Sequence, residues 1–177
     1  MEVRRAIFDD AAAIAGVHVR SWEAAYRGLV PDAWFAERSL QRRITTWRAL
    51  LRDGEHTRVF VACLNGTITG FCGAVTPSRD QDAGVGTAEI AALYVDRDHW
   101  RSGAGRALIS ATLHDLAGGP WRDVTLWVFE ANDRARSFYE RMGFAPDGAR
   151  VARSDEPPEV RLRRQLPGDP PGVVEPC

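Results

Sequence analysis

The sequence predicts one α/β (α+β) domain built around a single mixed sheet. Three observations predict it: an amphipathic helical stripe near the N-terminus, an Asn-Gly hairpin signature in mid-chain, and a strand-helix-strand-helix succession after it. A length of 177 residues suits one compact domain and is short for two. The domain is therefore expected at residues 1–166, with a Pro/Gly-rich C-terminal tail at 167–177.

Met1 to Phe8 reads as a short first strand, and Asp9 or Asp10 suits the cap of the helix after it. Ile14, Val17, His18, Ser21, Trp22 and Ala25 recur at helical spacing, so they form one core-facing stripe that ends near Gly28. Pro31 and Asp32 start a short helical stretch through Trp34 and Phe35, and Ser39 suits the cap of a segment carrying Leu40, Ile44, Trp47 and Leu51. From Arg58 the period changes to that of strands. RVFVACL and TITGFCGAV flank Asn65-Gly66, a pair that tolerates the positive φ of a type I′ turn. Pro77 to Gly86 is polar and glycine-rich and reads as a mobile loop. AEIAALYV is a buried strand, Gly103 to Leu116 a helix, DVTLWVF a strand and Asn132 to Met142 a helix stopped by Gly143. Two further strands fit Ala149 to Arg153 and Glu159 to Leu166.

Composition excludes several classes. The hydrophobic share of 45% and charged share of 27% are those of an ordinary globular protein, and no apolar run reaches membrane-spanning length. A formal net charge of -1 gives no reason to expect nucleic acid or a membrane as partner. Three cysteines without metal-ligand spacing suggest no metal site, and the lack of a secretory signal leads to the expectation of a cytoplasmic protein. All 23 basic positions are arginine, and the chain has no lysine.

The stretch EIAALYVDRDHWRSGAGRALI carries the chemistry. Gly103 and Gly105 let the chain pass close to a ligand, and the helix start offers unpaired N–H groups and a positive dipole end, an arrangement suited to a diphosphate. The Walker pattern needs a lysine this chain lacks, and the dinucleotide fingerprint needs a third glycine where Leu108 stands.

Strand, R/Q-x-x-G-x-G/A, helix, strand, Asn, helix, Tyr is the pattern of the GNAT acetyltransferases, and ALYV, WRSGAG, LWVFEAN and ARSFYERMGF resemble it in order. The resemblance covers Val3 to Leu166 and implies a mostly antiparallel central sheet of six to seven strands flanked by about four helices. It implies acetyl-CoA as cosubstrate and a small-molecule or peptide amine as acceptor. Trp100 departs from the pattern, which has Gln or Arg there; Arg101 or Arg106 is expected to supply the charge instead.

The resemblance further implies that Leu93 and Val95 offer backbone groups to the pantetheine arm, beside Tyr94. It also implies that Arg101, Ser102, Gly103, Ala104, Gly105 and Arg106 surround the diphosphate. Asn132 would contact the coenzyme arm and Tyr139 protonate the departing thiolate. Asn132, Arg136 and Tyr139 lie at i, i+4, i+7, which places Arg136 on the same helical face, and Ala135, Phe138 and Met142 take the neighbouring core stripe.

An amine attacks only when neutral, and Glu89 resembles in position the family's glutamate base; desolvation in so apolar a segment is expected to raise its pKa. The alternatives are that Glu89 lies in solvent or orients the acceptor. A backbone N–H near Tyr94 is implied as donor to the carbonyl oxygen. A free phenol near pKa 10 and a thiol near 8.5 leave Tyr139 a proton transfer uphill by about 1.5 units. His99 is expected to cap the turn or touch coenzyme, and His18 to pack. Trp22 and Tyr26, with Trp34 and Phe35, give the acceptor region an aromatic character, and Asp80 and Asp82 are candidates to attract a cationic acceptor. A non-catalytic acyl-CoA-binding module and a longer acyl-CoA are the rival readings, and a homodimer through the C-terminal strands is left open.

Overall fold

The computed structural model describes residues 1–27, 39–153 and 156–167. The helical stretch expected at Pro31 and Asp32, with Trp34 and Phe35, lies outside them, as do Gly28 and the tail from 168 onward. Among the described residues the strands are β1 (Glu2–Arg5), β2 (Thr57–Leu64), β3 (Thr67–Val75), β4 (Thr87–Val95), β5 (Asp123–Phe129), β6 (Ala145–Arg153) and β7 (Glu156–Gln165). The helices are α1 (Ala11–Tyr26), α2 (Leu40–Arg52), α3 (Ala104–Ala117) and α4 (Asp133–Arg141).

One sheet runs β1-β2-β3-β4-β5-β7-β6, antiparallel throughout except for the parallel pair β4 and β5. The β2–β3 turn forms as its sequence demands, with positive φ at Asn65 and Gly66. Alternation divides the side chains of the sheet between two cores. Val59, Val61 and Phe71 pack under α1 and α2 with Ile14, Val17 and Trp47. Ala88, Ile90, Val124, Leu126 and Leu162 pack under α3 and α4 with Leu108, Ile109 and Tyr139.

Several boundaries differ from the sequence reading. Asp10 stands at the α1 N-cap position but makes no cap bond; its carboxylate is taken by Arg4, at 2.7 and 2.9 Å, and by the Ile7 N–H. Leu40 stays exposed, outside the stripe of Ile44, Trp47 and Leu51 that meets the core. The segment Pro77 to Gly86, read as mobile, is pinned. Asp80 accepts from the Trp127 indole at 2.8 Å, the nearly buried Arg161 of β7 bonds Asp82 and Asp147 at 2.8 Å each, and Arg163 donates to the Ala83 carbonyl. Buried guanidinium groups require carboxylates, and this loop supplies two of them.

Two features of β4 shape the site. It pairs with β5 only over Thr87–Glu89, after which the strands splay apart. At the splay an extra residue enters β4: Gly73 faces Ala92 while Ala74 faces Ile90, leaving Ala91 as a β-bulge. Ala88 and Ile90 join the α3/α4 core, whereas Ala92 and Tyr94 pack toward α1 and α2. The bulge thus puts Glu89 and Tyr94, five residues apart, on the same face.

Candidate active site

The splay opens a continuous cleft. On the α1 face it is a cavity of about 590 Å3 whose walls include Trp22, Tyr26, Glu89, Tyr94, Trp127 and Phe129. This cavity runs into a narrower slot of about 130 Å3 toward α4, lined by Ser21, Leu93, Val95, Trp100, Asn132 and Tyr139 among others. Tyr26, Ala91, Tyr94 and Trp127 border both.

The ladder fixes which backbone groups of β4 face the cleft. The Asp96 N–H bonds the Thr69 carbonyl at 2.8 Å, so by alternation Tyr94 and Ala92 also bond to β3, while the main-chain groups of Leu93 and Val95 point into the splay. Both residues therefore fit the strand-edge role expected of them. A donor near Tyr94 must come from its neighbours, because the Tyr94 N–H faces β3. The Val95 carbonyl already has a partner, the Trp100 indole N–H at 2.8 Å.

Trp100 is thereby explained. Its ring ties the turn to the end of β4 and carries the Arg134 guanidinium at 3.6 Å from the ring centroid. Arg134 was missed by the sequence reading, which chose Arg136. Burial lowers the Arg134 pKa, as do the nearby Arg101 and Arg97, so three guanidinium groups crowd this turn. Arg136 instead donates to the Glu130 carbonyl at 3.2 Å and does not line either part of the cleft. Of the i, i+4, i+7 set, Asn132 and Tyr139 line the slot, joined there by Arg134 and Ala135.

In the turn itself Arg101 and Gly103 adopt positive φ, 63° and 88°. Ser102 is used locally, donating to the His99 carbonyl at 2.7 Å and accepting from the Ala104 N–H at 3.4 Å. Gly103 caps α3 without a side chain, which leaves N–H groups of the first turn, among them those of Gly105 and Arg106, for an anion. A Cβ on Gly105 would come within 3.5 Å of Phe138, the neighbour of Tyr139, so turn and phenol belong to one place. His99 Nδ1 and Ser21 Oγ are buried without a partner among the described residues.

Asn132 spends its side-chain oxygen capping α4, at 3.1 Å from the Ala135 N–H, which leaves its amide N–H groups as donors to the slot. Burial raises the Tyr139 phenol far above a free one, with smaller contributions from Cys72 and Tyr26. The expected gap of about 1.5 units therefore assumed too wet a site, although the same dry slot raises a thiol held in it.

Glu89 is buried, but not alone. Arg79 donates its backbone N–H to Oε2 at 3.0 Å and its Nε at 3.1 Å, and its terminal nitrogen contacts Oε1. The Arg79 side chain stays largely exposed, and Glu89 raises its pKa. Asp80 and Asp82, expected to draw a cation, are engaged by Trp127 and Arg161. His18 packs as expected, accepting from the Trp47 indole at 3.2 Å and stacking on Tyr94.

Comparison with known proteins agrees with this fold. The acetyltransferase (GNAT) family model matches residues 18–144. The N-acetyltransferase YuaI of Bacillus subtilis is 31% identical over 131 residues, covering 73% of this chain and 72% of that protein. The PaiA N-acetyltransferase of Thermoplasma acidophilum, solved in complex with coenzyme A, superposes with a TM-score of 0.75 at 16% identity, covering 93% of this chain and 98% of the other. A ribosomal-protein-alanine N-acetyltransferase from Brucella melitensis gives 0.73 at 18% identity, with coverages of 94% and 100%. At such identities the structures establish the fold, and the family match and the bacterial relative establish kinship. The chain belongs to the acetyltransferase (GNAT) family, enzymes that take their acetyl group from acetyl-CoA.

Proposed function

We propose that the domain of residues 1–166 transfers an acetyl group from acetyl-CoA to the primary amine of a small molecule or peptide by direct attack. The observation that carries this reading is the cleft, with Trp100, which leads into the glycine turn, Asn132 and Tyr139 at one end and Glu89 at the other.

The residues present fit the coenzyme. Arg101, Arg134 and the α3 N–H groups hold the diphosphate, and the Leu93 main chain and the Asn132 amide hold the amide-bearing arm. Ser21 Oγ, buried in the slot without a partner among the described residues, supports a polar occupant there. Bound so, acetyl-CoA supplies a thioester at the junction of slot and cavity. Trp22, Tyr26, Trp127 and Phe129 enclose the amine's apolar part. Glu89 takes the amine's proton once Arg79 swings outward, which its exposure allows. Tyr139 gives its proton to the sulfur as the C–S bond breaks.

Release of free CoA from acetyl-CoA, followed by thiol detection across a broad amine panel, tests the reading. Turnover with at least one amine is expected. If no amine is acetylated while acetyl-CoA still raises the melting temperature, the chain is a binding module and the proposal fails.

A further inference from the structure

Helix α1 reaches the reacting centre with more than packing groups. Its last residue, Tyr26, borders both the coenzyme slot and the acceptor cavity, as does Tyr94. The two hydroxyls lie side by side, and a phenol that accepts from one neighbour keeps its own proton to give to another group. The Tyr26 ring is held edge-on to Phe129 at 5.0 Å and tilted against Trp22 at 5.1 Å. Its partner Tyr94 is fixed by stacking on His18 at 4.7 Å. Arg20, six residues earlier, anchors α1 to Asp96 just past β4, at 2.7 Å. On the slot side of the same helix Ser21 Oγ is buried without a partner among the described residues, a second sign that this wall meets a polar group.

We propose that Tyr26 is a catalytic residue, whose O–H donates a hydrogen bond to the acyl oxygen of the thioester as the amine attacks, opposite the backbone donors of β4. This rests on the acetyltransferase reading above. As the N–C bond forms, the carbonyl π pair moves onto oxygen and Tyr26 stabilises it without surrendering its proton. Collapse restores C=O and breaks the C–S bond, whose electron pair stays on sulfur. Sulfur is protonated by Tyr139, and the amine's proton leaves to Glu89. Burial keeps the Tyr26 phenol protonated, as a donor must be.

The test compares Tyr26→Phe, Tyr94→Phe and wild type, with acetyl-CoA and the fastest amine of the panel. Phenylalanine keeps the ring contacts, so melting temperatures should match. Tyr26→Phe is expected to lower kcat on the order of 100-fold with the KM values for acetyl-CoA and amine nearly unchanged, the signature of a donor used only in the transition state. Tyr94→Phe, which frees Tyr26 to reorient, should lower kcat by less. A raised amine KM at constant kcat would make Tyr26 an acceptor-binding residue and overturn the proposal, as would unchanged kinetics. Should Tyr26→Phe fold poorly, the Tyr94→Phe kcat decides: no loss overturns it. Wild-type inactivity with every amine would sink the acetyltransferase reading instead. The slow transfer of acetyl to water, compared between wild type and variants, would then still read the role of Tyr26.

Discussion

Replacing Arg161 with Met should unfasten the loop above the acceptor cavity. The Arg161 side chain is 5% exposed and bonds Asp82 at 2.8 and 3.2 Å, Asp147 at 2.8 Å and Asp80 at 3.4 Å. Breaking a buried ion pair by removing one partner costs about 3–5 kcal/mol. Three facts reduce that figure here. Asp82 is 72% exposed and adds only the small contribution of a solvated surface pair. Asp147 keeps Arg163 and the Ala149 N–H, and Asp80 keeps the Trp127 indole. Methionine also refills much of the volume. A loss of about 2–3 kcal/mol remains, which for a chain of this size lowers the melting temperature by roughly 5–10 °C. Thermal unfolding gives the total, and amide hydrogen exchange locates it, with faster exchange confined to the segment from Ser78 to Gly86. A fall of under 2 °C with unchanged exchange would show that the arginine does not hold the loop.

Other outcomes follow from the site. Tyr139→Phe should lower kcat on the order of 100-fold while leaving CoA affinity, measured by calorimetry, within a factor of about two. Arg134→Ala should raise the KM for acetyl-CoA roughly 10-fold, the worth of one charged hydrogen bond, yet leave turnover of S-acetylpantetheine, which has no diphosphate, unchanged. Acid should weaken the fold through Asp10 and Asp147. The Arg4 guanidinium holds Asp10 below the usual carboxylate range, and at Asp147 the Ala149 N–H with Arg161 and Arg163 outweighs burial to the same effect. A depressed carboxyl stabilises above its unfolded value of about 3.9, and this is lost as pH falls through the folded value. Urea midpoints should therefore change little from pH 7 to 5 and drop below about pH 4, less steeply in Asp147→Asn.

Local signals carried the fold well. The Asn65-Gly66 turn, the α3 start at the glycine pair, the Ser39 cap and the Gly143 stop each depend on a residue's own conformational chemistry, so each is readable within a few positions. What escaped depends on long-range partners. Arg161 and Asp82 are 79 residues apart, and nothing in PSRDQDAGVG shows that its acids are claimed by β7. Glu89 could be marked as a buried acid, but its partner Arg79 lies in a loop without periodicity. Arg134 went unmentioned because helical spacing was counted from Asn132, which is the cap, and the stacking of Arg134 on Trp100 is a contact between distant segments. Trp100 read only as a departure from the pattern, since its partners on β4 and α4 lie outside its own segment.

The single extra residue at Ala91 has a meaning that its small side chain conceals. In a regular strand odd and even positions never meet, so residues 89 and 94 would have opposite parity and look out on different sides of the protein. The insertion cancels that parity once, and everything downstream inherits the shift. Deleting this alanine would leave every chemical group of the cleft in the sequence and yet turn the acid of Glu89 and the ring of Tyr94 away from each other. The length of this strand, counted in residues, is thus part of the chemistry as much as the identity of any side chain on it.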